Sequence, residues 1–347
     1  YQAMVTAEEY KACRTAGETG DWDHIYSSDS DSPVLRVEVS KVEEMSPDVT
    51  KYEFSSLDGS ELPEWTAGAH LDIVVAPEFL RQYSMSGDPA DRSKYQIGVL
   101  REDQGRGGSA LLHRIFAQGR KIFISKPINH FPVVEGSKSF LMGGGIGVTP
   151  MIAMAHQLHA QGRAFELHYS VSSRTGAGYL EDLAAMPWAQ NVKVHVSDEG
   201  TRADLDAVLD GYRDGWHVYT CGPDRYMDGV MQAAERQGFV EEARHLEYFS
   251  VPDLPEYENY DFTLKLAKSG REFVVPADKT ATDVLAENGV QVDVKCADGI
   301  CGVCKCGLIS GEVEHRDFVL SKAQREVAVV LCQSRAAQKD GVMVVDL

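Results

Sequence analysis

The chain has 347 residues, of which 43% are hydrophobic, and a formal net charge of −19. This length allows two or three packed domains. The excess of acidic side chains argues against nucleic acid as a partner, and no apolar run is long enough to cross a membrane. Cysteines are scarce outside the C-terminal region, and this usage favours the cytoplasm.

The spacing of apolar and turn residues along the sequence predicts five segments. Residues 1–32 are predicted to be an acidic N-terminal extension. Short alternating strands separated by turn residues predict an antiparallel barrel over 33–134. Strands that alternate with Gly-rich turns and helices predict a parallel α/β domain over 135–250. A Pro-containing acidic linker, 251–260, is expected before a C-terminal domain at 261–347.

Four cysteines in the C-terminal domain have the spacing C-x4-C-x2-C…C of a plant-type [2Fe–2S] site: Cys296, Cys301, Cys304 and Cys332. Gly299 and Gly302 allow the loop between them to adopt left-handed backbone angles. Zinc sites use paired C-x2-C units or His ligands, and disulfide frameworks belong to short secreted chains, so both are disfavoured. Cys332 lies in an apolar run that is typical of a strand. Cys306 is not expected to be a ligand, because the set of four is complete without it.

Of two notable segments in the predicted barrel, the second has the composition of an anion site. Arg81-Gln82-Tyr83-Ser84 ends a predicted strand, and Arg106-Gly107-Gly108-Ser109 precedes a helix-like stretch. Glycines let backbone N–H groups approach an anion, and a helix N-terminus adds favourable partial charge. A surface turn remains an alternative for the Gly-rich segment taken alone.

The parallel domain begins with a strand, a Gly-rich turn and a helix over 140–150. Thr149 is the predicted N-cap, with Pro150 at the first helical position. The glycines of this turn would permit close approach of a dinucleotide, although they do not form the G-x-G-x-x-G fingerprint: Gly144, Gly145 and Gly147. Cys221-Gly222-Pro223 ends a later strand, and binding loops gather at the carboxyl ends of parallel strands. Cys221 alone also fits a buried core position.

Together these motifs resemble those of the phthalate dioxygenase reductase family, a branch of the ferredoxin–NADP reductase superfamily. The resemblance covers residues 33–347 in the family's domain order. It implies a multidomain fold: an antiparallel flavin-binding barrel, a parallel α/β nicotinamide domain and a β-grasp plant-type ferredoxin domain. The family commonly has a basic residue where this chain has Ile128.

The resemblance also implies roles for individual residues. FMN, rather than FAD, would be held through its phosphate by Arg81 and Ser109, with Arg106 nearby. Tyr83 would pack on the isoalloxazine ring, and Ser84 would hydrogen-bond its reactive nitrogen. The loops 143–150 and 221–223 would flank the nicotinamide. An aromatic side chain, Phe249 or its neighbour, would cover the flavin, although core packing is an equal alternative.

The resemblance thus implies two sets of site residues. The catalytic residues implied are Ser84, Cys221 and Phe249. The cofactor-binding residues implied are Arg81, Gln82, Tyr83, Ser84, Arg106, Gly107, Gly108, Ser109, Gly144, Gly145, Gly147, Thr149, Cys221, Gly222 and Pro223.

The order of motifs predicts an electron-transfer reductase. One Arg, Arg174, and the acids Asp198 and Glu199 follow neighbouring strands of the nicotinamide domain, and acids favour NADH over NADPH. The expected path runs from NADH through FMN and the [2Fe–2S] cluster to a separate Rieske-type oxygenase. A haem monooxygenase as acceptor and a non-catalytic redox sensor are the alternatives. The protein is expected to be a monomer on its own.

Overall fold

The computed structural model describes residues 34–76, 79–102, 107–249, 257–294, 297–300 and 302–347. These residues belong to two compact units that divide between Glu247 and Tyr248. The predicted extension 1–32 lies outside the described residues, and so does much of the predicted linker. None of the described helices is long and apolar enough to cross a membrane.

The first unit begins with an antiparallel sheet. Its strands are β1 (Val34–Ser46), β2 (Val49–Ser56), β3 (Ala69–Ala76), β4 (Phe79–Ser84), β5 (Tyr95–Leu100), β6 (Lys121–Ser125) and β7 (Ile128–Asn129), with helix α1 (Gly108–Ile115) between β5 and β6. The order is β4-β3-β6-β1-β2-β5, and β7 pairs with β3. Met85 pairs with Ile97, and Ser86 N donates to Gln96 O at 2.9 Å. These contacts join the two outermost strands, so the sheet closes and the predicted barrel is confirmed.

Alternation of side chains explains why this segment forms strands. Leu35, Val37 and Val39 are fully buried, one residue in two along β1, as a sheet with one apolar face requires. Tyr52 and Phe54 repeat the pattern on β2. The same hydrophobic core continues into the second half of the unit.

The second half of this unit is a five-stranded parallel sheet. Its elements are β8 (Lys138–Gly144), α2 (Val148–Ala160), β9 (Ala164–Val171), α3 (Leu180–Ala185), β10 (Val192–Val196), α4 (Leu205–Leu209), β11 (Trp216–Cys221), α5 (Asp224–Arg236) and β12 (Arg244–Glu247). The strand order is β10-β9-β8-β11-β12. The chain therefore runs outward in opposite directions from β8 and β11, and ligands of such sheets bind at the carboxyl ends of the strands at this switch point.

The start of α2 differs from the prediction. Gly147, not Thr149, is the N-cap, and the helix begins at Val148. A 3-10 turn over Gly145–Gly147 runs directly into the helix, so Thr149 is already helical, and its hydroxyl donates back to Ile146 O at 3.0 Å. Pro150 still lies in the first turn, where its missing N–H costs nothing.

The barrel packs closely on the parallel sheet around Gly98 of β5. A Cβ on Gly98 would lie 2.3 Å from the Tyr179 hydroxyl oxygen and 2.9 Å from Thr149 Cγ2. Tyr179 also shares a hydrogen bond with the Ser86 hydroxyl at 3.2 Å. The absence of a side chain at Gly98 lets the barrel and the parallel domain approach each other closely.

The second unit is a small mixed sheet with a helix. Its elements are β13 (Phe262–Leu266), β14 (Glu272–Val275), α6 (Ala281–Glu287), β15 (Lys305–Ser310), β16 (Val313–Glu314), α7 (Lys322–Arg325), β17 (Ala328–Val330), β18 (Arg335–Ala336) and β19 (Val342–Val345). The order is β14-β13-β19-β15-β17, with β16 paired to β18. A capping box of Thr280 and Asp283 begins α6, and Leu285 packs into the core with Phe262. This is the predicted β-grasp arrangement.

Candidate functional site

The two predicted nicotinamide loops meet at the switch point. Gly143 of β8 is aligned with Cys221 of β11. A Cβ on Gly147 would lie 2.3 Å from the Cys221 carbonyl oxygen, and a Cβ on Gly222 would lie 2.8 Å from Gly144 Cα. The loops therefore touch backbone to backbone, which only glycine permits.

A cavity of about 300 Å³ lies beside these loops. Three of the predicted cofactor residues line it: Gly144, Gly145 and Pro223. The rest of the lining comes from the ends of β9 and β10, the segments after them, and α5: Ser170, Val171, Ser172, Ser173, Gly176, Ser197 and Tyr226. Small hydroxyl side chains at the carboxyl ends of parallel strands suit the hydroxyl-rich part of a dinucleotide.

The other predicted residues of these loops support the cavity. Thr149 and Cys221 are buried, at 1% and 0% exposed, and Gly147 and Gly222 make the backbone contact. Burial raises the pKa of the Cys221 thiol well above its usual range, so this side chain is neutral. A neutral thiol adds no charge beside the loops.

The predicted flavin phosphate site combines a cation with a helix N-terminus. The Arg81 side chain of β4 lies against Gly108, because a Cβ there would be 2.3 Å from Arg81 Nε. Gly108 is the first residue of α1, and the preceding Gly107 has a left-handed φ of 78°. A guanidinium beside the free N–H groups of a helix N-terminus is suited to a phosphate. These residues therefore fit the phosphate of a flavin nucleotide.

Gln82, Tyr83 and Ser109 were also predicted to bind the flavin. Gln82 Nε2 donates to Asp72 Oδ1 at 3.0 Å, which holds the Gln82 side chain along the sheet. The Ser109 hydroxyl oxygen accepts a backbone N–H at 3.1 Å. Burial raises the pKa of the Tyr83 phenol, so the ring presents a neutral, partly buried surface. Arg106 lies outside the described residues.

Ser84 and Glu247 connect the barrel to the parallel sheet. Ser84 is the last residue of β4 and is 5% exposed, and its hydroxyl donates to Glu247 Oε2 at 2.9 Å. Glu247 ends β12, where its Cα is paired with that of Cys221. The structure thus groups two of the predicted catalytic residues, Ser84 and Cys221, around a carboxyl group.

The role of Glu247 was missed by the sequence analysis, which considered only the aromatic residues that follow it. Burial raises the pKa of Glu247 to about 7, and the hydrogen bond from Ser84 opposes this shift only in part. The feature that could have pointed to Glu247 is its position at the end of a strand that pairs with the strand of Cys221. This pairing cannot be known from the sequence without the strand order of the sheet.

Phe249, the third predicted catalytic residue, belongs to the second unit. Its side chain is 43% exposed. The ring of the neighbouring Tyr248 packs edge-on against Phe318, with centroids 5.2 Å apart. A role for Phe249 at the flavin stays a prediction.

Two of the four predicted cluster ligands are described, and they lie together. Cys304 and Cys332 are 3% and 1% exposed, and Cys332 N donates to Cys304 Sγ at 3.4 Å. A backbone N–H directed at a cysteine sulfur is the kind of contact that tunes an iron–sulfur cluster. Cys296 and Cys301 lie outside the described residues.

The chain around these cysteines fits a cluster. Gly299 and Gly302 have left-handed φ angles of 75° and 68°, as expected for a loop that wraps closely. The prediction that Cys332 lies on a strand is wrong: β17 ends at Val330, and Cys332 follows in a turn. The turn is what directs its N–H towards Cys304. Cys306 packs in a different hydrophobic cluster from Cys304, and its non-ligand role stays a prediction.

Gly147→Ala tests the backbone contact between the loops. The added Cβ would meet the Cys221 backbone at 2.3 Å, so the loops must separate. We expect flavin reduction by a nicotinamide coenzyme, measured by stopped flow, to fall at least about tenfold, because misplacement near 1 Å can cost more than that. Flavin and iron content should remain unchanged.

Gly229→Ala is the matched control for this substitution. Gly229 lies inside α5, and its added Cβ would make an ordinary contact of 3.4 Å with Leu205. This variant should reduce flavin at the wild-type rate and be more stable by up to about 1 kcal/mol. Equal flavin reduction rates in both variants would contradict the role of the loop contact.

Glu247→Gln tests the raised carboxyl pKa. The pKa of about 7 in the folded protein lies above the ordinary value of 4.5, so between these pH values the folded protein retains a proton that the unfolded chain releases. The contribution of Glu247 to stability is therefore complete below pH 4.5 and is lost as the pH rises through 7. The difference in thermal unfolding midpoint between wild type and Glu247→Gln should change across this interval and level off above it. Parallel pH profiles would show that the pKa is not raised.

Comparison with known proteins agrees with the domain order. The family model described as "2Fe-2S iron-sulfur cluster binding domain" matches residues 264–337. The tert-butanol monooxygenase / tert-amyl alcohol desaturase reductase subunit of Aquincola tertiaricarbonis is 40% identical, over 86% of this chain and 92% of that protein. The phthalate dioxygenase reductase of Burkholderia cepacia is 37% identical, over 90% of this chain and 97% of that protein.

Two solved structures extend this similarity to the fold. A phthalate dioxygenase reductase structure superposes with a TM-score of 0.65 at 34% identity, covering 90% of this chain and 98% of that one. An intact type IV self-sufficient cytochrome P450 monooxygenase gives a TM-score of 0.80 at 34% identity over 90% of this chain. The present chain spans only 41% of that P450 chain. With near-complete coverage of relatives well above 30% identity, the chain belongs to the phthalate dioxygenase reductase family.

Proposed function

We propose that this protein transfers electrons from NADH through FMN and a [2Fe–2S] cluster to a separate Rieske-type oxygenase. Its family makes it an NAD(P)H-dependent electron-transfer oxidoreductase of an oxygenase system. The observation that carries the transfer between nicotinamide and flavin is the hydrogen bond from Ser84 to Glu247, 2.9 Å long. It fixes the end of the predicted flavin strand at the edge of the sheet where the nicotinamide loops meet.

Residues of the barrel support FMN as the flavin. Arg81 and the N-terminus of α1 at Gly108 form one compact cradle, which suits the terminal phosphate of a mononucleotide. The backbone of Gly107, with its left-handed φ of 78°, turns the chain into that helix. The fit to FMN rests on this cradle and on the family.

Charges near the cavity support NADH as the donor. Arg174, the one Arg that the sequence offers in this segment, is bound by Glu199 through two hydrogen bonds of 2.7 and 3.1 Å. An acid in this region suits a free ribose hydroxyl, whereas a free Arg would suit the phosphate of NADPH.

The side chains at the loops position the reactants, and the Cys221 thiol among them carries no charge. When bound, the flavin accepts a hydride and releases electrons singly, and the cluster passes them on one at a time. The Ser84 hydroxyl is directed by Glu247, and the buried Cys221 thiol is neutral. Positioning of this kind can supply a large share of the rate of a transfer between two bound groups.

The names of the relatives support a separate oxygenase as acceptor, because they are reductase subunits of oxygenase systems. Plant-type clusters lie near about −400 mV and Rieske centres at about −150 to +300 mV, so transfer to a Rieske centre is downhill. A haem monooxygenase is the second candidate, supported by the superposition on the self-sufficient P450 with a TM-score of 0.80. The cytoplasmic location and the monomeric state remain predictions from the sequence.

The function can be tested by spectroscopy without oxygen. Two equivalents of NADH, which supply more than the three electrons that the flavin and the cluster accept, should bleach both the flavin and the cluster bands of the loaded protein. Addition of the oxygenase encoded beside this gene should restore them, with either a reduced Rieske spectrum or, in the presence of CO, a ferrous haem spectrum. Bands that persist after NADH addition would rule out the reductase function.

Cys304→Ser tests the order of the carriers. Loss of this buried thiol should remove the [2Fe–2S] absorption and abolish transfer to the oxygenase, while flavin reduction by NADH stays within about twofold of wild type, since the two sites are on separate units. Cys306→Ser is the control, because Cys306 packs in the other hydrophobic cluster, and it should retain the cluster. A cluster that survives Cys304→Ser would contradict the ligand assignment.

A further inference from the structure

The segment 315–320, which follows β16, packs against the loop of the predicted cluster cysteines. Phe318 N donates to Gly299 O at 3.1 Å, and a Cβ on Gly299 would lie 3.4 Å from Asp317 Cα. In the sequence, Gly299 stands between the first two of the four predicted ligands. The backbone of Asp317 therefore lies directly against this loop.

Asp317 also holds a residue that contacts the two described ligands. Its Oδ1 accepts the backbone N–H of Val319 at 3.1 Å and that of Leu320 at 2.8 Å. Leu320 packs in one hydrophobic cluster with Cys304 and Cys332. The acidic side chain is thus fixed next to the predicted iron–sulfur site.

The Asp317 carboxylate is buried, and its charge is only partly compensated. Its side chain is 0% exposed, and no residue in the described part of the chain makes a hydrogen bond to its Oδ2. His315 Nδ1 lies 3.6 Å from Oδ2, and Arg325 Nη2 lies 3.9 Å from Oδ1. Burial lowers the pKa of His315 below its ordinary value of 6.5, so at pH 8 only Arg325 of these two side chains is a cation.

The local turn does not require a negative charge at this position. Removing a carboxylate from water is costly unless it is well paired. The two backbone bonds to Oδ1 need only an acceptor oxygen, which the neutral amide of Asn also has. The charge therefore calls for an explanation outside the turn, and the cluster loop is its neighbour.

We propose that the buried carboxylate of Asp317 lowers the reduction potential of the [2Fe–2S] cluster and so makes the cluster a stronger electron donor. This inference rests on the proposed function only through the presence of the cluster. Reduction adds one electron to a cluster held by four negative thiolates. A fixed negative charge nearby opposes that electron, because the protein interior screens charge less than water does.

Redox titration of the complete protein, loaded with flavin and cluster, tests this inference at pH 8. Dithionite reduces the cluster through dye mediators, and the EPR signal of the reduced cluster is recorded at each potential. Asp317→Asn keeps the Oδ1 acceptor and removes the charge. Its equilibrium constant for cluster reduction should rise about tenfold, which is an upward shift of about 59 mV for one electron. Its iron content should equal that of the wild type.

Arg325→Gln should have the opposite effect, because it removes the cation that faces Asp317. Arg325 is 37% exposed, so its charge is screened more strongly and the equilibrium constant for reduction should fall by only about threefold. Arg325 Nη2 also donates to Asp317 O at 2.7 Å, and both substitutions therefore disturb the same segment. A merely structural role, in which each variant loosens the loop, would shift both potentials in the same direction.

Glu287→Gln is the matched control, since it removes one negative charge from the same unit. Glu287 is the last residue of α6 and accepts bonds of 2.7 and 2.8 Å from Lys279 Nζ. Its side chain is 53% exposed, so solvent screens its charge. The cluster potential of this variant should equal the wild-type value.

The outcomes separate this inference from the proposed function. An unchanged or lower potential in Asp317→Asn with full iron content would overturn the inference, and so would shifts of the same sign in Asp317→Asn and Arg325→Gln. If Asp317→Asn does not retain its cluster, Arg325→Gln decides: a lower potential supports the inference, and an unchanged or higher one overturns it. None of these titrations uses NADH or an oxygenase. Failure of NADH to reduce the wild type would therefore remove the proposed function, while the potentials still decide the role of Asp317.

Discussion

The backbone contact between the loops after β8 and β11 is the constraint on which the site depends. Gly147 can approach Cys221 only because it has no side chain. That approach fixes the end of β11, and the pairing of β11 with β12 then places Glu247 beside Cys221. Glu247 in turn receives the hydrogen bond from Ser84. One close approach of two loops thereby sets the geometry between the barrel and the parallel sheet.

Burial and exposure give two parts of the first unit different electrostatic characters. Beside the contact between the two loops, burial raises the pKa of the Cys221 thiol well above its usual range and that of the Glu247 carboxyl to about 7. Arg174 and Glu199, which follow β9 and β10, are 58% and 42% exposed and form an ion pair. The charged state is therefore disfavoured in the buried part and retained in the exposed part.

The iron–sulfur site was the most predictable part of the protein. Its signal is the spacing of cysteines along a single short loop, with glycines whose left-handed angles the structure contains at Gly299 and Gly302. The same local reasoning failed for Cys332, which was expected on a strand. An apolar run shows that a segment is buried, but the last residue of the strand depends on which backbone groups are paired by its neighbours, here up to Val330.

The sequence by itself predicted the order of the domains, the glycine turn at Gly107 and Gly108, and the two loops after β8 and β11, because each is encoded by residues adjacent in the chain. Only the tertiary structure decided which distant side chains meet. Ser84 and Glu247 are 163 positions apart, and Arg174 and Glu199 lie after different strands. Such pairs leave no local pattern, since their contact follows from strand order and from the packing of one sheet on another.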